Sequence, residues 1–249
     1  MKNARTLVVD LGNARLKWAI QGDVPWRMEA RAVQGHDVST VLTEAWQDLP
    51  KPDAIVMATV SDRALSAAVN AWTVQHWSVE VHTIAAQAEL LGVRNNYRQP
   101  ETLGADRWAA LIGARAETQA DVCVVDCGTA VTVDALTVAG EFAGGVILPG
   151  LALARAALTN GTARIREMEG NEISCLAWST GDAVAAGTLF GLVGAVERVW
   201  REFEQTLARP MELIITGGDA EAVRARLSRP ARHVPDLVLK GLARIGQTL

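Results

Sequence analysis

The chain has 249 residues, 49% of them apolar and 21% charged, with a formal net charge of −4. That balance belongs to an ordinary globular protein with enough apolar side chains for two cores, and it excludes a disordered chain. The acidic sum gives no electrostatic reason to expect nucleic acid or an anionic membrane surface as a partner.

Residues 5–10, 15–20 and 27–33 read as three strands, with turn chemistry at Gly12-Asn13 and Gly22-Asp23. A helix is expected over 37–48, where Val38, Val41, Leu42, Ala45 and Trp46 recur at helical spacing. A strand at 54–60, a helix at 62–75, a strand at 79–84 and a helix at 105–117 complete a βββαβαβα order. The polar run Glu117-Thr118-Gln119-Ala120 then marks a boundary, dividing the chain into 1–117 and 118–249.

The second half repeats the order with an insertion. Strands are expected at 121–126, 130–137 and 141–148, and helices at 151–158 and 181–207. A strand at 211–216, a helix at 219–227, a short strand at 232–235 and a helix at 236–247 close the chain. The start MKNARTLVVD has no signal-peptide pattern, because Asp10 interrupts the apolar run. The least polar helical stretch, Ala183 to Val196, falls short of the roughly 20 residues a membrane span needs. The cysteines Cys123, Cys127 and Cys175 are odd in number and lack zinc-knuckle spacing. Together these features predict a cytoplasmic protein with reduced thiols.

An internal echo is the most informative feature. LVVDLGNARLKW (7–18) and VVDCGTAVTVDAL (124–136) share a β-branched run, Asp, one residue, Gly and a small polar residue. Asp10 and Asp126 occupy matching places, as duplication of one unit would leave them. At such a turn Gly12 or Gly128 leaves backbone N–H groups open to phosphate oxygens. An Asp at the strand end cannot bind phosphate but can hold the Mg²⁺ that accompanies ATP. Lys17 could steady the transferring group, and Thr129 could donate its hydroxyl to a phosphate. Thr132 is read equally well as an ordinary strand residue. GGVILPG (144–150) and TGGD (216–219) each follow a strand and open a helix, and Gly217 and Gly218 would leave bare backbone for an anion or a flat base.

The ordered set DLGNARLK, YRQPETLGADR (97–107), DCGTAVTVD, GGVILPG and TGGD resembles the type III pantothenate kinase family over nearly the whole chain. The resemblance implies an α/β fold of two ribonuclease H-like (actin-like ATPase) domains facing across a cleft. It implies transfer of the ATP γ-phosphoryl group to pantothenate, the first step towards coenzyme A. On the matching motifs, the first phosphate loop would be Asp10, Leu11, Gly12, Asn13, Ala14, Arg15, Leu16 and Lys17, with Thr129 also on ATP and Gly217 and Gly218 beside the adenosine. Tyr97, Gly104, Ala105, Asp106, Arg107 and Thr180 would meet pantothenate, with Asp106 as the base. Asp126 would hold a monovalent cation, K⁺ or NH₄⁺. The family works as a homodimer, with no nucleic-acid or membrane partner implied.

The residues make chemical sense without the resemblance. A loose phosphoryl-transfer transition state asks the base to orient the hydroxyl more than to strip it, and an Asp suffices. Arg107 could fork onto a substrate carboxylate. Tyr97, the only tyrosine, could cover an apolar substrate. An N-terminal helix carboxylate, a surface ion pair, a core tyrosine and a helix cap at Thr180 are the plain structural readings of the same residues. Ala14 departs from the hydroxyl residue the family often has there, so one side-chain hydrogen bond to phosphate is expected to be lacking while Asn13 and backbone amides remain. The histidines His36, His76, His82 and His233 form no cluster, and the eight tryptophans are dispersed. Phosphate-gripping turns alone leave open another small-molecule kinase or phosphohydrolase of this superfold, or an ATP-binding accessory protein of a transcription regulator.

Overall fold

A computed structural model describes residues 4–22, 26–162, 165, 170 and 172–249. Asp23 of the expected Gly22-Asp23 turn lies outside them. The chain forms two compact units. One comprises the described residues up to Gln119 with 140–142 and 236–249, the other those of 120–139 and 143–235. The C-terminal helix, grouped with the second half by sequence order, thus packs within the first unit.

In the first unit, β1 (Thr6–Leu11) and β2 (Arg15–Gln21) form a hairpin, followed by β3 (Glu29–Ala32), α1 (Val38–Trp46), β4 (Ala54–Thr59), α2 (Arg63–Trp77) and β5 (Val81–Thr83). The sheet order is β3-β2-β1-β4-β5, antiparallel across the hairpins and parallel from β1 to β4 to β5. Side chains alternate across the strands. Leu7, Val9 and Leu11 therefore share one face, packed with Leu42, Trp46, Val69, Trp72 and Trp77 of α1 and α2. Asp37 and Asp62 cap these two helices by accepting from the N–H groups of Thr40 and Leu65. Trp46 meets Trp18 and Trp72 edge-on and stacks on Trp77, so several of the dispersed tryptophans are core.

Val8 and Asp10 point to the opposite face of β1. There lie α3 (Ala105–Glu117) and, as labelled here, the C-terminal helix α7 (Leu237–Gly246). The two helices pack backbone to backbone. A Cβ on Gly113 would stand 2.4 Å from the Leu237 carbonyl oxygen, and one on Gly241 would collide with that of Ala109. Two short strands the sequence pattern did not reveal, β6 (Glu89–Leu90) and β7 (Val93–Asn95), form a small hairpin before α3. Residues 141 and 142, the start of the long strand β10 (Glu141–Pro149), pair with β7 in parallel.

The second unit holds β8 (Val122–Cys127), β9 (Ala130–Leu136), the remainder of β10, α4 (Leu151–Gly161), α5 (Thr180–Leu207), β11 (Glu212–Thr216), α6 (Ala220–Arg224) and β12 (Arg232–His233). Its strand order, β10-β9-β8-β11-β12, is that of the first unit strand for strand. Asp10 and Asp126 each occupy the fifth position of a six-residue central strand. The duplication read from two short sequences is thus a duplication of topology.

The helix α5 corrects one expectation. The apolar stretch Ala183–Val196 looked too short for a membrane span, yet it belongs to a 28-residue helix that is long and apolar enough by composition. Its Leu189, Leu192, Val193, Val196 and Trp200 pack into the second unit's core against β8, β9 and β11. Its C-terminal half carries the ion pairs Arg198–Glu202 and Arg201–Glu197. Its N-cap is Ser179, which exchanges hydrogen bonds with Asp182, so Thr180 is the first helical residue and not the cap.

Candidate active site

The first hairpin turns tightly. Asp10 pairs with Lys17 and Leu11 with Leu16, and the Gly12 N–H donates to the Arg15 carbonyl at 3.0 Å. The Lys17 Nζ lies 3.3 Å from Asp10 Oδ2, both largely buried. A Cβ at Gly12 would meet only the Arg15 carbonyl, at 3.4 Å, and its φ is not positive, so folding does not demand glycine there. Leu11 and Leu16 are fully buried, with their side chains in the core of the first unit. Ala14 accepts the Val33 N–H at 3.0 Å, a backbone role that any residue could fill.

Asp106 sits in the first turn of α3, on the sheet face that Asp10 shares. Burial raises its pKa most, with the negative charge of Asp10 adding to the effect. The Arg107 N–H, donating to Asp106 Oδ1 at 2.7 Å, opposes the shift without cancelling it. Gly104, the N-cap of α3, has no Cβ for a reason: one would stand 2.6 Å from Asp106 Oδ1. The same position would contact Val60, an exposed valine beyond β4, at 3.7 Å.

Arg107 is buried, with its guanidinium 5.7 Å from the Tyr97 ring centroid and 5.6 Å from that of Phe142. Its Nη1 donates to the Tyr97 hydroxyl at 2.9 Å. Planar cation, phenol and two ring faces thus form one assembly. The first unit therefore brings Asp10, Lys17, Tyr97, Gly104, Asp106 and Arg107 onto one side of its sheet. Phe142 escaped the sequence reading, because nothing in EFAGG marks that residue as a neighbour of Tyr97 across 45 positions.

In the second unit the Gly128 N–H donates to Ala130, closing the turn that carries Thr129. Two later loops lean on this turn: Gly150 N–H donates to Thr129 at 3.0 Å and Asp219 N–H to Cys127 at 3.1 Å. Gly217 has φ +96°, and a Cβ there would lie 2.5 Å from the Cys127 carbonyl and 2.6 Å from Asp126 Oδ1. Close packing on Asp126 thus accounts for Gly217 by itself. Gly218 follows it, before the short helix α6, and Thr180 is exposed at the start of α5. Burial pushes the thiols of Cys123 and Cys127 far up, which makes them inert core groups.

The donor set limits the metals that fit. Among the described residues no three His, Cys, Asp or Glu side chains gather as a cage. A single carboxylate at a strand end suits Mg²⁺, which keeps waters and phosphate oxygens as most of its ligands.

The strand order β3-β2-β1-β4-β5, repeated in the second unit with an Asp-x-Gly turn on each central strand, is that of the actin-like ATPase and sugar kinase fold. Solved structures agree on the fold. A MreB 5 from Spiroplasma citri bound to AMPPNP matches with TM-score 0.53 at 10% identity, covering 100% of this chain and 97% of that one. The ethanolamine utilization protein EutJ from Carboxydothermus hydrogenoformans matches with TM-score 0.56 at 16% identity, covering 98% and 90%. Residues 6–202 match the model of the type III pantothenate kinase family. Type III pantothenate kinases from Nitrosococcus oceani (37% identical, 97% of this chain and 93% of the relative) and Chromobacterium violaceum (38%, 97% and 99%) align end to end. The chain belongs to the type III pantothenate kinase family, whose members are ATP-dependent kinases of coenzyme A biosynthesis.

Proposed function

We propose that this chain transfers the γ-phosphoryl group of ATP to the primary hydroxyl of pantothenate, with Asp106 as the base. The observation that carries the reading is the desolvated Asp106 carboxylate, fixed by the Arg107 N–H beside the Asp10 turn. A carboxylate short of water is a better proton acceptor than one in solvent. In the reaction the pantothenate oxygen forms a bond to the γ-phosphorus while the bond from the γ-phosphorus to the β,γ-bridging oxygen breaks. The hydroxyl proton passes to Asp106, and ADP and 4'-phosphopantothenate leave.

The remaining roles follow the chemistry of each group. Main-chain N–H groups of 10–17 would hold phosphate, with Lys17 opposing charge on the transferring group. Mg²⁺ bound with ATP would neutralise charge on the β- and γ-phosphates, and Asp10 would hold it. Thr129 would bond phosphate, and Gly217 and Gly218 would border adenosine. Arg107 and Tyr97 would take the acid and polar groups of pantothenate, with Gly104, Ala105 and Thr180 completing its surroundings. Asp126 would hold K⁺ or NH₄⁺, a reading supported by its carboxylate at the end of the central strand of the second unit. A homodimer would cover the exposed Ile147, Leu176, Trp178 and Phe190 of the second unit. A cytoplasmic site of action suits its reduced thiols and its nucleotide.

A coupled assay of ADP release tests the reading, with ATP, Mg²⁺, pantothenate and either Na⁺ or K⁺. Turnover should require pantothenate and rise with K⁺. Release of ADP without dependence on pantothenate would overturn it.

A further inference from the structure

We infer that Asn95 and Phe142 are positioning residues that set the acid-binding face of the site, by holding Tyr97 and Arg107 from behind. The inference rests on the reading that those two residues meet pantothenate. Asn95 ends β7 and Phe142 lies near the start of β10, directly opposite each other in parallel register. Both are buried, so neither is placed to touch substrate itself.

Asn95 ties the segment leading to α3. Its Oδ1 accepts the Tyr97 N–H at 3.1 Å, and its Nδ2 donates to the Pro100 carbonyl at 2.9 Å. That carbonyl also accepts the Leu103 N–H at 3.2 Å, closing the 3₁₀ turn Pro100–Thr102 that delivers the chain to Gly104. The side-chain amide accepts from one main-chain group through its oxygen and donates to another through its nitrogen. An aspartate in the same shape keeps the first bond and sets an oxygen against the Pro100 oxygen. Phe142 acts on the side chains instead. Its ring lies 5.3 Å from that of Tyr97, tilted at 39°, and 5.6 Å from the Arg107 guanidinium. One residue thus fixes the main chain of Tyr97, and its neighbour across the sheet fixes the ring and the cation bonded to its hydroxyl.

Asn95→Asp and Phe142→Leu test this through a split that a general loss of packing would not produce. Each should raise the pantothenate KM about tenfold or more, while the ATP KM stays within about twofold. In a Tyr97→Ala background Asn95→Asp should add little, since the group it positions is gone. A second readout needs no substrate. Tyr97 is the only tyrosine, so 3-fluorotyrosine labelling gives one ¹⁹F resonance. That line should shift or broaden in both variants, and in the wild type it should move on titration with pantothenate. Equal rises in both KM values, or an unchanged ¹⁹F line in both variants, would overturn the inference. A wild type with no pantothenate-dependent turnover would strike the functional reading instead, and the ¹⁹F spectra of the free proteins would still decide whether Asn95 and Phe142 hold Tyr97.

Discussion

A Cβ on Gly104 would stand 2.6 Å from Oδ1 of Asp106, the oxygen that accepts the Arg107 N–H. The glycine that caps α3 is therefore what lets the carboxylate fold back onto its own helix terminus. Its φ is −55°, so alanine can adopt the backbone, and the cost falls on the carboxylate alone. Gly104→Ala should lower kcat by about 10–100-fold with little change in Tm, because a displacement near 1 Å is enough to misalign a base. Steady-state kinetics beside a thermal melt checks it. A large loss of Tm would mean that Gly104 serves the fold.

Asp106 carries a second prediction, through its titration. Its folded pKa is raised, by burial first and then by the charge of Asp10. A carboxyl raised in the folded state makes the protein bind more protons folded than unfolded between the two pKa values. Stability then falls as pH rises through that window, which starts near the ordinary Asp value of about 3.9. Above the window the folded protein bears the full cost of the buried charge. Asp106→Asn should remove that cost. Turnover should fall by about 10²–10⁴-fold while ATP binding survives, and Tm at neutral pH should exceed that of the wild type. The two melting curves should converge as pH is lowered towards 4. A wild type that is the more stable at pH 7 would contradict the burial argument.

Much of this architecture was legible because the signals are local. β-branched runs such as LVV and VVD announce strands, and helical spacing announces α1, although Asp37 and Asp62, read as helical, prove to be caps one residue before their helices. The matching Asp-x-Gly turns announced the duplication that both sheets display. Features that depend on distant close approach were not legible. Gly113 and Gly241 look like weak points in two helices until those helices are seen to cross backbone to backbone, which is what draws α7 into the first unit. Phe142 and Asn95 matter through a strand register that no periodicity encodes. The close approach of Gly217 to Cys127 and Asp126 is likewise invisible in the sequence.

Lys17 and Asp10 form a cross-strand ion pair at 3.3 Å. Lys17→Met keeps the aliphatic stem and removes the ammonium. Two consequences should appear together. On the role proposed for Lys17 the ATP KM should rise, and the acid limb of kcat/KM should move to higher pH. The second follows because an unneutralised Asp10 raises the Asp106 pKa further by like-charge repulsion. A pH profile of kcat/KM separates the two, and an acid limb that stays in place would show that Lys17 does not govern the charge Asp106 feels.

Gly217 offers a test of the second unit alone. At φ +96° an alanine is strained by about 1–3 kcal/mol, and its methyl would also press on Asp126 Oδ1 and the Cys127 carbonyl. The clash cannot be relieved from the Cys127 side, because that carbonyl already accepts the Asp219 N–H and its strand is paired to β9 and β11. The Asp126 carboxylate must therefore move. Gly217→Ala should lower Tm and weaken activation by K⁺, while the rate in Na⁺ changes less. Gly128→Ala is the contrasting variant: its φ is not positive and its nearest neighbour, the Ala130 carbonyl, lies at 3.3 Å, so it should cost less stability. Titrating K⁺ against both variants by initial rate reads the difference. An unchanged K⁺ response in Gly217→Ala, despite a lowered Tm, would remove Asp126 from the cation site.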